Sequence, residues 1–160
     1  MSNKYLPHLQ ILSEDDANRD IVNGFLMDAR IDARRARVLP SAGGWSAAVG
    51  KINDAQLSSY PERRLLLVID FDDVPKDRFE SISRDIPANI KDRVYILGVR
   101  SEPEKLKQAL SYTSYETIGK SLSNECAEST TNLWAHDLLK HNQAELQRLL
   151  ADVKPFLFER

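Results

Sequence analysis

This sequence predicts an α/β fold: a central, mainly parallel sheet of four or more strands with helices on both faces. Three observations carry it. The segment Leu65-Leu66-Leu67-Val68-Ile69 is apolar at consecutive positions, as a strand covered on both faces requires. Strand-like and helix-like segments alternate up to about residue 110, the order of a parallel sheet with crossover helices. From residue 112 onward the pattern is polar and helical, so a C-terminal helical extension (112–160) packed on the α/β unit (1–111) is expected.

Each element has a local reason. Residues 8–13, centred on Ile11 and Leu12, read as a first strand that ends in Glu14-Asp15-Asp16. A helix follows, with Ile21, Val22, Phe25, Leu26 and Ala29 at helical spacing and Asp15 or Asp16 placed to cap its first turn. Arg37 to Leu39 read as a second strand closed by Pro40, and Ser41-Ala42-Gly43-Gly44 leads into a helix over 45–52. The third strand, 65–69, ends at Asp70-Phe71-Asp72-Asp73, and Pro75 opens a helix to about residue 86. Residues 93–99 form the fourth strand. Ser101-Glu102-Pro103-Glu104 then has the spacing of a capping box, which predicts a helix to about residue 110. Further helices are expected over 118–126 and 133–153, with 156–158 as a short last strand or a docked tail.

Composition narrows the function classes. The chain of 160 residues is 42% hydrophobic and 29% charged, which excludes a disordered chain and allows roughly two-thirds of the unfolded surface to be buried. Twenty-two Lys and Arg against 24 Asp and Glu give a net charge of -2, so contact with nucleic acid has to be local rather than driven by bulk charge. The lone cysteine, Cys126, cannot close an intramolecular disulfide and reads as a small core residue beside Leu122. The first residues carry no apolar stretch of signal-sequence length and no run spans a bilayer, so a soluble, cytoplasmic protein without a membrane partner is expected.

Parallel topology brings three strand ends to one edge, where such sheets place their ligands. That edge would collect Glu14, Asp15 and Asp16 from the first strand, Gly43 and Gly44 from the second, and Asp70, Asp72 and Asp73 from the third. Two carboxylates about 4 Å apart repel by roughly 4 kcal/mol at an effective dielectric of 20, so convergence invites protons or a divalent cation. Magnesium, or manganese in its place, suits oxygen ligands of this kind. Alternation along a strand would point Asp70 and Asp72 the same way while Phe71 enters the core.

The acid after the first strand (Ile11-Leu12-Ser13-Glu14), the glycine turn after the second (Gly43-Gly44-Trp45) and the apolar strand ending in Asp-x-Asp (Leu65 to Asp72) resemble the Toprim domain. That domain is shared by topoisomerases, bacterial primases, recombination proteins and overcoming-lysogenization-defect nucleases, and stand-alone examples include some associated with phage defence. The resemblance covers residues 6–110. It implies a magnesium-dependent phosphoryl-transfer site of nuclease or nicking type, with Glu14 as general acid/base and metal ligand and with Asp70 and Asp72 as metal ligands. Glu102 and Glu104 correspond loosely to the acids after the fourth strand. Two positions depart from the family pattern: Asp15 stands where a glycine commonly follows the glutamate, and Asp73-Val74-Pro75 replaces a later glycine.

Two other readings use the same residues. Glu14-Asp15-Asp16 followed by Asn18-Arg19 resembles the acidic pair and first helix of a response-regulator receiver, which would make Asp70 the phosphoacceptor with Ser101 and Lys120 as partners. A non-catalytic interaction module on the same scaffold leaves the acids idle, and a second copy or a partner protein would then be its ligand. Arg30, Arg34, Arg35 and Arg37 form a run that is either a solvated face or a grip on a phosphate backbone. His136 and His141 lie about 140° apart on a helix and read as solvated residues rather than a metal pair. Trp45 reads as core, with base stacking as the alternative.

Overall fold

The computed structural model describes residues 5–158. Its elements are β1 (His8–Ser13), α1 (Asp16–Phe25), β2 (Ala36–Val38), α2 (Trp45–Gly50), β3 (Arg63–Val68), α3 (Pro75–Asp85), β4 (Val94–Leu97), α4 (Pro103–Leu110), α5 (Tyr115–Glu128) and α6 (Gln143–Leu157). The four strands form one sheet in the order β2-β1-β3-β4, and every pairing is parallel. Ile11 lies level with Val38 and Leu66, and Leu66 with Tyr95.

Alternation along β3 divides the core in two. Leu66 and Val68 face one side, where they join Ile21 and Val22 of α1, Leu106 of α4, Ile118 and Leu122 of α5, and Leu149 and Val153 of α6. Leu65, Leu67 and Ile69 face the other side with Ala48 of α2 and Ile82 of α3. The consecutive apolar run is thereby explained, since each face has its own cover. The first core joins residues from both the α/β segment and the C-terminal helices, so α5 and α6 pack into the sheet's own core. Cys126 is buried there, and burial pushes its thiol up to about 12. Among the described residues, no helix is long and apolar enough to cross a membrane.

Three expected elements differ. Helix α1 stops at Phe25 instead of running to Ala29, because Asp28 turns back to bind the Arg30 backbone N–H and guanidinium. The capping box does not form: Glu102 is the N-cap of α4 without a side-chain cap bond. The last helix begins at Gln143, ten residues later than expected, and runs through Leu157 in place of a final strand. The segment before it is held out of helix by side chains from elsewhere. The Glu125 carboxylate accepts the backbone N–H groups of Leu133 and Trp134, while the Asn142 amide pairs with both the N–H and the C=O of Gly98.

The amino ends of the strands carry cations. β3 opens with Arg63 and Arg64, and Arg93 precedes β4. Arg64 donates to both carboxylate oxygens of Asp152 on α6, which also accepts the Tyr95 hydroxyl. Arg93 donates to the carbonyls of Leu57, Tyr60 and Arg63.

Candidate functional site

The carboxyl ends of β1 and β3 converge as parallel pairing requires, and the hydrogen bond from Glu14 N to the Val68 carbonyl closes them together. Beyond that point the acids divide. One carboxylate oxygen from each of Glu14, Asp15 and Asp70 lies within 4.8 Å of the others. On one octahedral magnesium with metal–oxygen distances near 2.1 Å, neighbouring oxygens stand about 3 Å apart and opposite ones about 4.2 Å, so the three carboxylates have to draw together by side-chain rotation to ligate one ion.

Asn18 ties the trio together. Its Nδ2 donates to Asp15 Oδ1 at 2.9 Å and to Asp70 Oδ1 at 2.8 Å, and its backbone N–H donates to Asp15 Oδ1, which caps α1. Glu14 Oε1 accepts the Asp70 backbone N–H at 3.2 Å. Asp70 is 8% exposed and Asn18 fully enclosed. Burial, followed by the charges of Asp70, Asp15 and Asp72, pushes the Glu14 carboxyl up to about 7. Burial also raises Asp70 to about 6, reinforced by Asp15, Asp72 and Glu102 and held back by the Asn18 bond. The protein has thus gathered acids it cannot cheaply ionise together.

Asp72 does not join as a third ligand. Strand geometry ends before it, and Asp72 and Asp73 both adopt left-handed backbone with φ of 49° and 64°, so the parity that would aim Asp70 and Asp72 together is lost. The exposed Asp72 carboxylate pairs with Arg78 of α3 at 3.1 Å. Arg78 also donates to the Asp70 carbonyl and lies 4.3 Å over the Trp45 ring, so half-buried Trp45 carries a cation on its face.

The remaining candidates have other duties. Asp16 accepts the Ser41 hydroxyl at 2.6 Å. Asp73 is exposed, with its backbone N–H on the Arg100 carbonyl. Glu102 is exposed and contributes only charge toward Asp70, and exposed Glu104 lies nearer Tyr115, whose hydroxyl it helps to raise after burial. Gly43 and Gly44 have φ of 90° and 139°, a region that favours glycine, and both backbone N–H groups donate to the Glu14 carbonyl. They anchor Glu14 rather than cradle a phosphate. Lys120 is exposed on α5, not at a strand end.

The arginine run is split by its neighbours. Arg30 pairs with Asp28 and Glu128, Arg34 with Asp32, and Arg35 donates to the Pro7 carbonyl. Only Arg37 projects into an open cleft. His141 is not a solvated helix residue: it packs edge-on against Phe71, with ring centroids 4.9 Å apart, and burial lowers its basicity.

Sequence reasoning missed Asn18 as the organising residue, Arg78, and the hydroxyl of Ser13; Ser101 it named only as a partner of Asp70 in the receiver reading. Asn18 had a signal, being an amide three residues after a capping Asp in an acid-rich turn. Ser13, Asp70 and Ser101 follow Ile11, Val68 and Val99 by two residues each and so continue the same sheet face. Both serines are buried, at 0% and 4% exposure, and neither hydroxyl has a partner among the described residues. No protein-family model, curated protein or solved structure matches this chain.

Proposed function

We propose that this protein is a divalent-metal-dependent phosphoryl-transfer enzyme of Toprim-like type, which nicks or cleaves nucleic acid. The observation that supports it is the gathering of Glu14, Asp15 and Asp70, with one oxygen of each within 4.8 Å of the others, at the carboxyl edge of a parallel sheet. Asp70 and Asp15 are the residues to hold magnesium or manganese, with Asp15 in the place that the sequence pattern gave to Asp72. Bound there, the ion supplies positive charge against the phosphoryl oxygens. Glu14 moves the proton. Its Oε1 is committed to the Asp70 N–H, which leaves Oε2 to accept a proton from an attacking water. Its burial, with the acids beside it, makes protonation easy to gain and lose near neutrality.

Manganese titration by calorimetry and a plasmid-nicking assay test the reading. The protein is expected to bind manganese and to nick with magnesium or manganese but not in chelator. Glu14→Gln is expected to keep manganese affinity within about tenfold while nicking falls by about 100-fold or more. Wild-type protein that binds no manganese at millimolar concentration sinks the reading. An acid-labile phosphoryl group on Asp70 after incubation with acetyl phosphate would replace it with a phosphoacceptor.

A further inference from the structure

On the sheet face covered by α2 and α3, a cleft of about 450 Å³ lies beside α2, lined by Gln10 of β1, Arg37 of β2 and Arg63 of β3. Pockets of this size hold small organic ligands. Its wall carries three cations, Arg37, Lys51 and Arg63, against one acid, Asp54.

The state of Arg63 shows what the cleft lacks. Its Nε donates to His8 Nε2 at 3.0 Å and its Nη1 to the Ala55 carbonyl at 2.7 Å, both neutral acceptors. The imidazole is held as an acceptor, because His8 Nδ1 bonds to the Leu6 carbonyl and burial lowers its basicity. Its remaining planar contact is the Tyr60 ring, 4.2 Å away. Arg63 is thus a partly desolvated guanidinium without a carboxylate partner among the described residues, and Arg37 repels it from across the cleft. Arg37 and Lys51 are exposed and form no ion pair among the described residues. Converging cations with neutral partners are stabilised by an anion, and arginine favours phosphate.

We propose that this cleft is a second, separate site, which binds the phosphate groups of a nucleotide or a nucleic-acid strand through Arg37, Lys51 and Arg63. It stands independently of the metal reading, because it uses none of the acids. The Pro40 end of the cleft leads into the Ser41–Gly44 turn that anchors Glu14, so a strand held here runs toward the carboxyl edge.

The test is fluorescence anisotropy in chelator, with a labelled 20-residue oligothymidylate in one arm and a labelled nucleoside triphosphate in the other. Working without metal keeps the outcome distinct from any failure of the metal site. Arg37→Gln and Lys51→Gln are chosen because both side chains are exposed, and circular dichroism checks that each variant folds. For a strand, the double variant is expected to bind about tenfold more weakly at low salt, with a salt slope shallower by about 1.4, the loss of two phosphate contacts on a single strand. For a nucleotide, only the triphosphate binds, and the double variant loses it. Wild-type protein that binds neither probe, or binding that the double variant leaves unchanged, overturns the proposal.

Discussion

Asp70→Asn is expected to abolish divalent-metal binding and, in metal-free protein, to raise stability. Both effects come from one buried carboxylate. Removal of outer-shell partners alone costs metal sites 10- to 100-fold, so loss of a ligand is expected to lower manganese affinity by about 100-fold or more. The same change removes a charge that burial and Asp15 resist, while the amide oxygen still accepts from Asn18 Nδ2. The sign follows from linkage. Asp70 and Glu14 titrate at about 6 and about 7 in the fold, above the ordinary 3.8 and 4.5, so the folded state binds more protons than the unfolded one. Their stabilising contribution is complete below about pH 4 and is lost as pH rises through 6 and 7. At pH 8 the variant should therefore be more stable than metal-free wild type by about 1–2 kcal/mol, after allowance for solvent screening. Magnesium at 100 times its Kd should restore about 2.7 kcal/mol to wild type and nothing to the variant. Thermal melts across pH, with and without magnesium, check all three expectations. Equal manganese affinity in both proteins, or a less stable variant at pH 8, contradicts the account.

The second large effect is expected at the crossing of α1 and α5. A Cβ on Gly119 would stand 1.9 Å from the Ile21 carbonyl oxygen and 2.5 Å from Phe25 N, and one on Gly24 would stand 2.1 Å from the Glu116 carbonyl oxygen. The helices touch backbone to backbone, and backbone cannot step aside as a flexible side chain does. Gly119→Ala is expected to cost about 3 kcal/mol or more in denaturant unfolding. Gly50→Ala is the control. Its Cβ meets nothing within 4 Å at the end of α2, so the same change should be neutral or stabilise by up to about 1 kcal/mol. Because α1 carries Asn18 and is capped by Asp15, displacement of α1 should also weaken manganese binding. Wild-type stability and metal affinity in Gly119→Ala would show that the helix crossing accommodates a methyl group and does not position α1.

The sheet was legible in the sequence because its signal is local: apolar runs on strands and acids at their ends need no knowledge of partners. Glu14 and Asp70 follow from that logic, as parallel strands must bring their carboxyl ends together. What failed to show depended on distant or conformational facts. Asp72 was misplaced because strand alternation was carried four residues past the end of β3, into left-handed backbone. The late start of α6 depends on Glu125 and Asn142 capturing backbone groups that helical spacing alone would assign to a helix. The arginine run was partly readable, since Asp28 and Asp32 stand two residues before Arg30 and Arg34. Arg78 was not, because its partners Asp72, Asp70 and Trp45 meet only when α2 and α3 share a face.

The parallel sheet also sorts charge along its strand axis. Arg63, Arg64 and Arg93 stand at the amino ends, while Glu14, Asp15, Asp70, Asp72, Asp73 and Glu102 stand at the carboxyl ends. A formal charge of -2 therefore leaves out an asymmetry between the two rims of one sheet: at the carboxyl rim the acids outnumber Arg78 and Arg100, whereas at the amino rim the arginines are matched by Glu62, Asp92 and Asp152. A polyanion at low salt is repelled by the acidic rim and turned away from it. A cation is turned the opposite way. On an anion-exchange resin the acidic rim should dock first, so retention should fall more on neutralising Asp72 and Asp73 than on neutralising two acids elsewhere, at identical net charge.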